Sequence, residues 1–295
     1  MGPPTNQPVL SPPVDRHAAS RLMAPLTELV ALAGAAILKV DRSGMHIDGK
    51  TDGSPVTEAD LAADRIIAEG LARLAPEIPA VSEERAPEAT AGCPSAFFLI
   101  DPLDGTKEFI AGRDEFTVNL ALVVDGTPLL GIIGAPALGL IWRGLVGEGA
   151  ERLATGQGQG NEHTLGPAQS IRTRPFPSPG HPWIAAVSRS HGNAATEAFI
   201  DGRPGAIRER LGSAIKLAKV AEGAVDIYPR LAPTSEWDIA AGHAIITAAG
   251  GKMTDAAGGE LRFGQRTRAG VQAGGQGTKD FIVPAFIAWG DPAAA

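Results

Sequence analysis

The stretch Phe98-Leu-Ile-Asp101-Pro-Leu-Asp104-Gly-Thr106 decides how this chain is expected to fold. It opens with a short continuous apolar run, which is typical of a buried strand. Pro102 then sets a fixed turn, so that Asp104 returns to the same side as Asp101. Gly105 permits close approach of the backbone, and a helix predicted to begin near Thr106 would point free N–H groups at an anion. The stretch therefore predicts a strand–turn–helix that carries two carboxylates and an anion site.

An Asp-Pro-x-Asp-Gly sequence is also an excellent surface turn, so the remaining acidic clusters decide between the two interpretations. Glu83 and Glu84 follow a short apolar run, Asp60 lies in the first turn of a helix that Thr57 can cap, and Asp238 opens another helix. Each alone could be a cap or a solvated charge. Four such clusters at element ends predict a metal site. Oxygen ligands without paired Cys or His favour Mg²⁺, with Mn²⁺ as a substitute, over zinc.

Composition excludes several classes of function. The chain has 295 residues, of which 44% are hydrophobic, and a net charge of −7 without a basic tract. A polymeric nucleic acid is therefore not an expected partner. The apolar run Leu26–Leu38 is too short and interrupted to predict a transmembrane segment. Cys93 is the only cysteine, which rules out an intrachain disulfide and favours a cytoplasmic protein, with peripheral association with the inner membrane left open.

Sequence patterns divide the chain into a flexible Pro-rich N-terminal arm (1–15), an N-terminal α+β metal-binding half (16–160), a connecting segment (161–182) and a C-terminal α/β half (183–295). Helical periodicity covers Ala18–Val40, and an antiparallel meander is predicted between Thr117 and Leu145. Beyond Trp183 strands and helices alternate, with one strand predicted at Ala224–Tyr228, and this alternation indicates α/β layers. His243, in an Ala-rich helix, is expected to be a core or interface residue with its hydrogen bonds satisfied. Two abutting α/β halves are therefore expected, with motifs from both meeting between them.

With these residues in view, the chain resembles the inositol monophosphatase superfamily of lithium-sensitive, magnesium-dependent phosphatases, from about Ala18 to Gly290. The motifs Asp101–Thr106 and Trp237–Gly242 carry the resemblance. Within the superfamily the chain is most similar to the 3′(2′),5′-bisphosphate nucleotidase branch, on the motifs Asp-Gly-Thr106-Lys107-Glu108-Phe109, Glu115-Phe-Thr117-Val-Asn119, Ser188-Arg-Ser-His191, Gly212-Ser213-Ala-Ile-Lys216 and Ile227-Tyr-Pro-Arg230. The resemblance implies a five-layer αβαβα sandwich of the sugar-phosphatase type.

The resemblance also implies a role for each matching residue. Two or three Mg²⁺ ions would be held by Glu83, Asp101, Asp104, Asp238 and the Leu103 carbonyl, with Asp60 reaching the third ion. Thr106, hydrogen-bonded to Asp60, would orient the attacking water near Glu83. The scissile phosphate would lie on the amides of Gly105 and Thr106, close to Asp238. The rest of the substrate would contact a mostly cationic group of residues, namely Lys107, His191, Ser213, Lys216 and Arg230.

The activity implied is hydrolysis of a small bisphosphate nucleotide, 3′-phosphoadenosine 5′-phosphate, to AMP and phosphate, with the sulfated nucleotide as a second substrate. An inositol monophosphatase or broad sugar-phosphate phosphatase is the alternative enzyme. A non-catalytic sensor of phosphorylated ligands on the same fold is a further alternative. Lys216 and Arg230 favour the nucleotidase, because two cations remote from the metals give a neutral inositol ring no benefit. Dimers are common in the superfamily, so a homodimer is also expected.

Overall fold

The computed structural model describes residues 14–42, 44–45, 47–49, 55–88, 94–157, 163–190, 192–264 and 281–295. Most of the predicted N-terminal arm, Cys93 and His191 lie outside these residues. The described chain forms the helices α1 (Arg16–Leu38), α2 (Glu58–Leu74), α3 (Thr106–Ile110), α4 (Ala194–Asp201), α5 (Ile215–Ala221) and α6 (Glu236–Ala248). Thr57 caps α2 as predicted, because its hydroxyl accepts from the Ala59 N–H while the Asp60 carboxylate accepts from the Thr57 N–H.

The N-terminal sheet is built mainly from neighbours in sequence. Its strands are β3 (Ala80–Ser82), β4 (Ala96–Asp104), β5 (Thr117–Val124), β6 (Thr127–Ala135), β7 (Leu140–Leu145), β8 (Gly149–Gln157), β9 (His163–Leu165) and β10 (Gln169–Ile171). The spatial order is β10-β8-β7-β6-β5-β4-β3, with β9 also paired to β8. Every pair is antiparallel except β3 with β4. The strands β1 (Ile47–Gly49) and β2 (Pro55–Thr57) pair separately, antiparallel.

The C-terminal sheet is mixed. Its strands are β11 (Trp183–Ser188), β12 (Ala206–Leu211), β13 (Ile227–Arg230), β15 (Lys252–Thr254) and β17 (Phe286–Trp289), in the order β12-β11-β13-β17-β15. A two-stranded ladder joins β14 (Thr234–Ser235) to β16 (Ile282–Val283). Helices α1 and α2 cover the outer face of the N-terminal sheet, α5 and α6 lie between the two sheets, and α4 packs beyond β13. These layers confirm the predicted αβαβα sandwich.

Close approach between layers depends on one glycine in β6 and one in α6. A Cβ on Gly131 of β6 would lie 2.1 Å from the Ala241 carbonyl oxygen, and one on Gly242 would lie 2.4 Å from a Leu217 methyl carbon. Side chains at these two positions would push α6 away from the sheet and from α5. The small residues of the Trp237–Gly242 motif therefore let α6 bring Asp238 up to the end of β4.

Within the described chain, helix α1 alone is long and apolar enough to cross a membrane. Leu26, Val30 and Ile37 are completely or almost completely buried in the core between α1, α2 and the N-terminal sheet. A core helix passes the same test of length and composition. The contacts of α1 make it the outer layer of the sandwich.

The boundaries of several elements differ from the sequence-based expectations. The segment predicted to connect the two halves, 161–182, contributes β9 and β10 to the N-terminal sheet, and β10 pairs antiparallel with β8. Edge strands pair through backbone groups and do not need the apolar periodicity on which the prediction depended. The strand predicted at Ala224–Tyr228 begins at Ile227 and continues to Arg230, so Arg230 belongs to a strand end that faces the site.

Candidate active site

The site begins where β4 ends. The ladder between β4 and β5 shifts register between Asp101 and Asp104, which is how both carboxylates reach the same end of the strand. The backbone N–H of Leu103 donates to Asp101 Oδ1 at 3.0 Å and fixes the turn. Gly105 follows with φ of +94°, a left-handed conformation that favours glycine, and α3 begins at Thr106. The predicted strand–turn–helix is therefore present.

One open cleft of about 270 Å³ between the two halves collects most of the predicted site residues. Eleven of them line it: Glu83, Asp101, Leu103, Asp104, Gly105, Thr106, Lys107, Ser213, Lys216, Arg230 and Asp238. Asp60 is not in the lining, but it is buried directly behind Thr106. His191 lies outside the described residues.

Asp60 is held by hydrogen bonds from two threonines. The N–H and Oγ1 of Thr57 both donate to Asp60 Oδ2, at 2.8 and 2.6 Å. Thr106 Oγ1 lies 3.1 Å from Asp60 Oδ1 and 3.1 Å from the Leu103 carbonyl oxygen, so its proton has an acceptor on either side. The hydrogen bond between Thr106 and Asp60 that the resemblance implied is present.

The carboxylates of Asp104 and Asp238 lie close enough to influence each other. Burial and the negative charge of Asp104 raise the pKa of Asp238 to about 6. Burial likewise raises the pKa of Asp104, against the opposing attraction of Lys216, and the charge of Glu83 adds to the rise. Neighbouring carboxylates in one cleft repel each other when both are ionised. A cation bound between them replaces this repulsion with attraction, so the cleft favours cation binding.

The donor chemistry of the cleft therefore fits a hard divalent cation such as Mg²⁺. The side chains are not, however, gathered into a preformed cage: among the described residues no three His, Cys, Asp or Glu side chains are grouped to hold a metal ion. Two of the carboxylates instead lie against hydrogen-bond donors of the protein. Asp238 Oδ2 accepts from Thr234 Oγ1 and from the Ser235 N–H, and Asp104 Oδ2 lies 3.5 Å from both Thr117 Oγ1 and Asn119 Nδ2.

The opposite side of the cleft is cationic. Lys216 is 3% exposed, and its Nζ donates to the Ser213 carbonyl oxygen. Burial lowers the pKa of Lys216 to about 8, although the charge of Asp104 works in the other direction. Arg230 Nη2 donates to the Pro233 carbonyl oxygen at 3.1 Å. Within the described part of the chain, the buried Ser213 Oγ and Arg230 Nε have no hydrogen-bond partner, so both are available to an anion in the cleft.

Tyr228 is a site residue to which sequence reasoning assigned no role. Its ring centre lies 5.3 Å from Lys216 Nζ, and it lines the same cleft. Burial raises the pKa of Tyr228 to about 12, so its hydroxyl stays protonated at neutral pH. In the sequence, the motif Ile227-Tyr-Pro-Arg230 was the only feature that pointed to Tyr228. The neighbouring cleft residues Glu108, Ser188 and Thr234 also lacked a predicted role.

The expectation for His243 was wrong in one respect. The residue does pack into the interior, with its ring centre 5.5 Å from that of Phe263. Its Nδ1 atom, however, is buried without a hydrogen-bond partner among the described residues. Burial lowers the pKa of His243 to about 4, so the imidazole is neutral. Its ring packs against Phe263, a contact between distant segments that the sequence position alone did not reveal.

Comparison with known proteins agrees with the fold. Residues 19–286 match the inositol monophosphatase family. The chain is 37% identical over 243 residues to the 3′(2′),5′-bisphosphate nucleotidase CysQ of Shigella flexneri, covering 81% of this chain and 92% of that protein. It is 33% identical over 252 residues to CysQ of Buchnera aphidicola, covering 84% and 89%. The chain belongs to the inositol monophosphatase family, and it is a phosphatase of that family.

Solved structures show the same similarity. The crystal structure of CysQ from Bacteroides thetaiotaomicron superposes with a TM-score of 0.69 at 31% identity, covering 92% of this chain and 97% of that one. An inositol monophosphatase from Zymomonas mobilis superposes with a TM-score of 0.68 at 26% identity, covering 93% and 94%. The family sandwich is therefore preserved over nearly the whole chain.

Proposed function

We propose that this phosphatase removes the 3′-phosphate from 3′-phosphoadenosine 5′-phosphate, giving AMP and phosphate. The observation that carries the proposal is that one cleft has carboxylates on one side and buried cationic side chains on the other. Asp101, Asp104 and Asp238 line the first, and Lys216 and Arg230 line the second. Two cations on the side of the cleft opposite the carboxylates match the second phosphate of a bisphosphate, and buried charged donors bind phosphate strongly. The names of the CysQ relatives support the same substrate class.

Under this proposal the phosphate to be cleaved lies on the amides of Gly105 and Thr106, at the first turn of α3. The second phosphate lies against Ser213, Lys216 and Arg230. Ser213 Oγ and Arg230 Nε, which have no partner among the described residues, would each donate to it. Lys107 would add positive charge at the rim of the cleft, and His191 remains a predicted contact of the substrate.

The attacking water is oriented by Thr106. Because the Thr106 hydroxyl donates a hydrogen bond to Asp60 or to the Leu103 carbonyl oxygen, a lone pair on Oγ1 is left to accept a hydrogen bond from water. Asp60, fixed by Thr57, would accept the proton that Thr106 passes on. Glu83 would act as a second acceptor at the same water. No serine or cysteine nucleophile is needed, since water attacks phosphorus directly.

Magnesium is the proposed cofactor, in two to three ions, and Mn²⁺ is the expected substitute. Bound Mg²⁺ would supply Lewis acidity and positive charge at the phosphoryl and leaving oxygens. Its ligands would be Glu83, Asp101, Asp104, Asp238 and the Leu103 carbonyl, with Asp60 at the weaker third position. Four of these carboxylates lie in the N-terminal half and Asp238 lies on α6, so ligands from both halves would share the ions.

The decisive experiment compares phosphate release from 3′-phosphoadenosine 5′-phosphate and from inositol 1-phosphate, with and without Mg²⁺. We expect Mg²⁺-dependent turnover with a strong preference for the nucleotide. A preference for inositol 1-phosphate would replace the proposal with an inositol monophosphatase or a broad sugar-phosphate phosphatase. Failure to turn over either compound, with ligand still bound, would favour a non-catalytic sensor.

Three further expectations follow from this activity. The sulfated nucleotide should be a second substrate, which would yield adenosine 5′-phosphosulfate. The reaction would then belong to sulfur assimilation in the cytoplasm, where both nucleotides would be encountered. A homodimer also stays a prediction, and sedimentation of the purified protein would test it.

A further inference from the structure

Two carboxylates that follow the Gly105 turn reach across to the C-terminal half. Glu115, in the loop between α3 and β5, accepts hydrogen bonds from Arg189 Nε at 2.9 Å and Arg189 Nη2 at 2.8 Å. The same carboxylate accepts from the backbone N–H of Gly212 at 2.8 Å. Glu108, buried in α3, accepts from Ser190 Oγ. The end of β11 and the end of β12 are therefore tied to the loop that follows the phosphate-binding turn.

The Glu115 contacts lie directly beside the cleft. A Cβ on Gly212 would lie 2.6 Å from the Glu115 carbonyl oxygen, so only glycine permits this approach. A Cβ on Gly105 would lie 3.2 Å from that same oxygen and 3.3 Å from Ser213 Cβ. Ser213 itself has φ of +41°, which is uncommon for a residue other than glycine and requires support from its surroundings. Glu115 thus lies between the Gly105 turn and the Ser213 loop.

The charge of Glu115 is stable at neutral pH. Burial alone would raise the pKa of this carboxyl, but the hydrogen bonds from Arg189 and the Gly212 N–H outweigh that effect and hold the pKa below its usual value. The side chain of Glu115 is 23% exposed and that of Arg189 38% exposed. A bidentate pair between an arginine and a carboxylate fixes orientation as well as distance, which an exposed monodentate pair does not.

We propose that Glu115 is a positioning residue that sets the Ser213–Lys216 wall at the correct distance from the Gly105–Thr106 turn. By its contacts with Gly212 and Arg189, Glu115 sets the distance between two sites. One site binds the phosphate that is cleaved, and the other binds the second phosphate. It therefore acts on selectivity for a bisphosphate and touches neither phosphate itself. This inference rests on the proposed function, because it assigns the Ser213–Lys216 wall to the second phosphate.

The test is Glu115→Gln, measured on 3′-phosphoadenosine 5′-phosphate and on 3′-AMP, which lacks the second phosphate. Gln keeps an oxygen for the Gly212 N–H but loses the charge that holds Arg189. We expect KM for the bisphosphate to rise about tenfold and KM for 3′-AMP to change by less than about twofold. Arg189→Met should raise KM for the bisphosphate by the same factor. The double variant should have no higher KM than either single variant, because each substitution removes the same ion pair between Glu115 and Arg189.

Glu151→Gln is the matched control. Glu151 accepts two hydrogen bonds from Arg143, at 2.9 and 2.7 Å, between strands β7 and β8 and outside the cleft lining. It should leave both KM values within about twofold of the wild type. Glu115→Asp, which keeps the charge, should restore much of the preference for the bisphosphate.

Each other outcome is also decisive. If Glu115→Gln lowers the melting temperature but leaves the ratio of the two KM values unchanged, Glu115 is only structural and the inference is overturned. An equal rise of both KM values overturns it as well. A wild type that does not prefer the bisphosphate overturns the proposed function, and this inference with it. A wild-type preference that survives in Glu115→Gln overturns this inference alone.

Discussion

Thr106 Oγ1 lies 3.1 Å from Asp60 Oδ1, although 46 positions separate the two residues in the chain. Asp60 is fixed because it also completes the capping box of α2. Thr106 is fixed because it opens α3 immediately after the Gly105 turn. The contact therefore joins two helix starts at the wall of the cleft. Under the proposed function this pair accepts the proton of the attacking water, so replacing Thr106 should affect chemistry more than binding.

Thr106→Ala should lower kcat by about a hundredfold or more, because the attacking water loses the acceptor that orients it. KM should change little, since the backbone amide of residue 106 is retained. Thr106→Ser keeps the hydroxyl and serves as the control, with kcat close to that of the wild type. Steady-state phosphate release measures both, and a Thr106→Ala variant with normal kcat would show that this hydroxyl has no catalytic role.

Removal of magnesium should abolish turnover, and so should Asp101→Asn. Mg²⁺ should also raise the melting temperature of the wild type as its concentration increases, because an ion that binds only the folded state stabilises it. Asp101→Asn should lose that increase. Asp125→Asn is the control: Asp125 is an exposed turn residue with φ of +48°, a conformation that Asn tolerates. Thermal unfolding at several Mg²⁺ concentrations makes the comparison, and an undiminished Mg²⁺ effect in Asp101→Asn would argue against this ligand.

The pH dependence of substrate binding should report on Lys216. Its pKa is lowered to about 8, so the ammonium is charged below that pH and increasingly neutral above it. For the wild type, KM for 3′-phosphoadenosine 5′-phosphate should therefore rise as the pH increases through about 8. Lys216→Met should have a high KM that is flat over this range. Kinetics between pH 7 and 9 test the prediction, and a parallel rise in the variant would assign the titration to another group.

Glu236 should make the metal-free protein less stable at higher pH. Burial raises the pKa of Glu236 to about 7 from an ordinary 4.5. A carboxyl group whose pKa is higher in the folded than in the unfolded state stabilises the fold while it is protonated. That stabilisation is fully present below the unfolded-state pKa and is lost as the pH rises through about 7. Between pH 5 and 8 the free energy of unfolding should fall by about 3 kcal/mol more in the wild type than in Glu236→Gln. Urea unfolding in metal-free buffer measures the free energy of unfolding at each pH. The same pH dependence in the wild type and in Glu236→Gln would contradict the prediction.

Gly105 and Gly112 form a matched pair for the turn. Both have positive φ, +94° and +73°, but only at Gly105 would a Cβ meet neighbouring atoms; at Gly112 no described atom lies within 4 Å. Alanine at either position should cost about 1–2 kcal/mol of stability from the backbone conformation. Only Gly105→Ala should also lower kcat, by about tenfold or more, because it displaces the phosphate-binding turn. Equal kcat values in the two variants would contradict this role for Gly105.

Much of the fold was predictable wherever local signals agree. The antiparallel meander predicted between Thr117 and Leu145 is present as β5, β6 and β7, which pair in sequence order. Strand β8 was missed although it follows β7 directly, because Gly149–Gln157 alternates polar and small residues without a strong apolar period. Strand β17 was missed for a different reason. It inserts antiparallel between β13 and β15, and such a partner cannot be predicted from a four-residue pattern.

By itself, the sequence determined the turn at the end of β4 and the identity of the carboxylates around the cleft. Those features depend on adjacent residues, whose conformational preferences act over three or four positions. Only the tertiary structure decided that Glu115 meets Arg189, 74 positions away, and that Lys216 is buried against Tyr228 opposite Asp104. The physical reason is that contacts between distant segments, and the pKa shifts that burial causes, depend on how whole layers pack, and no local pattern specifies that packing.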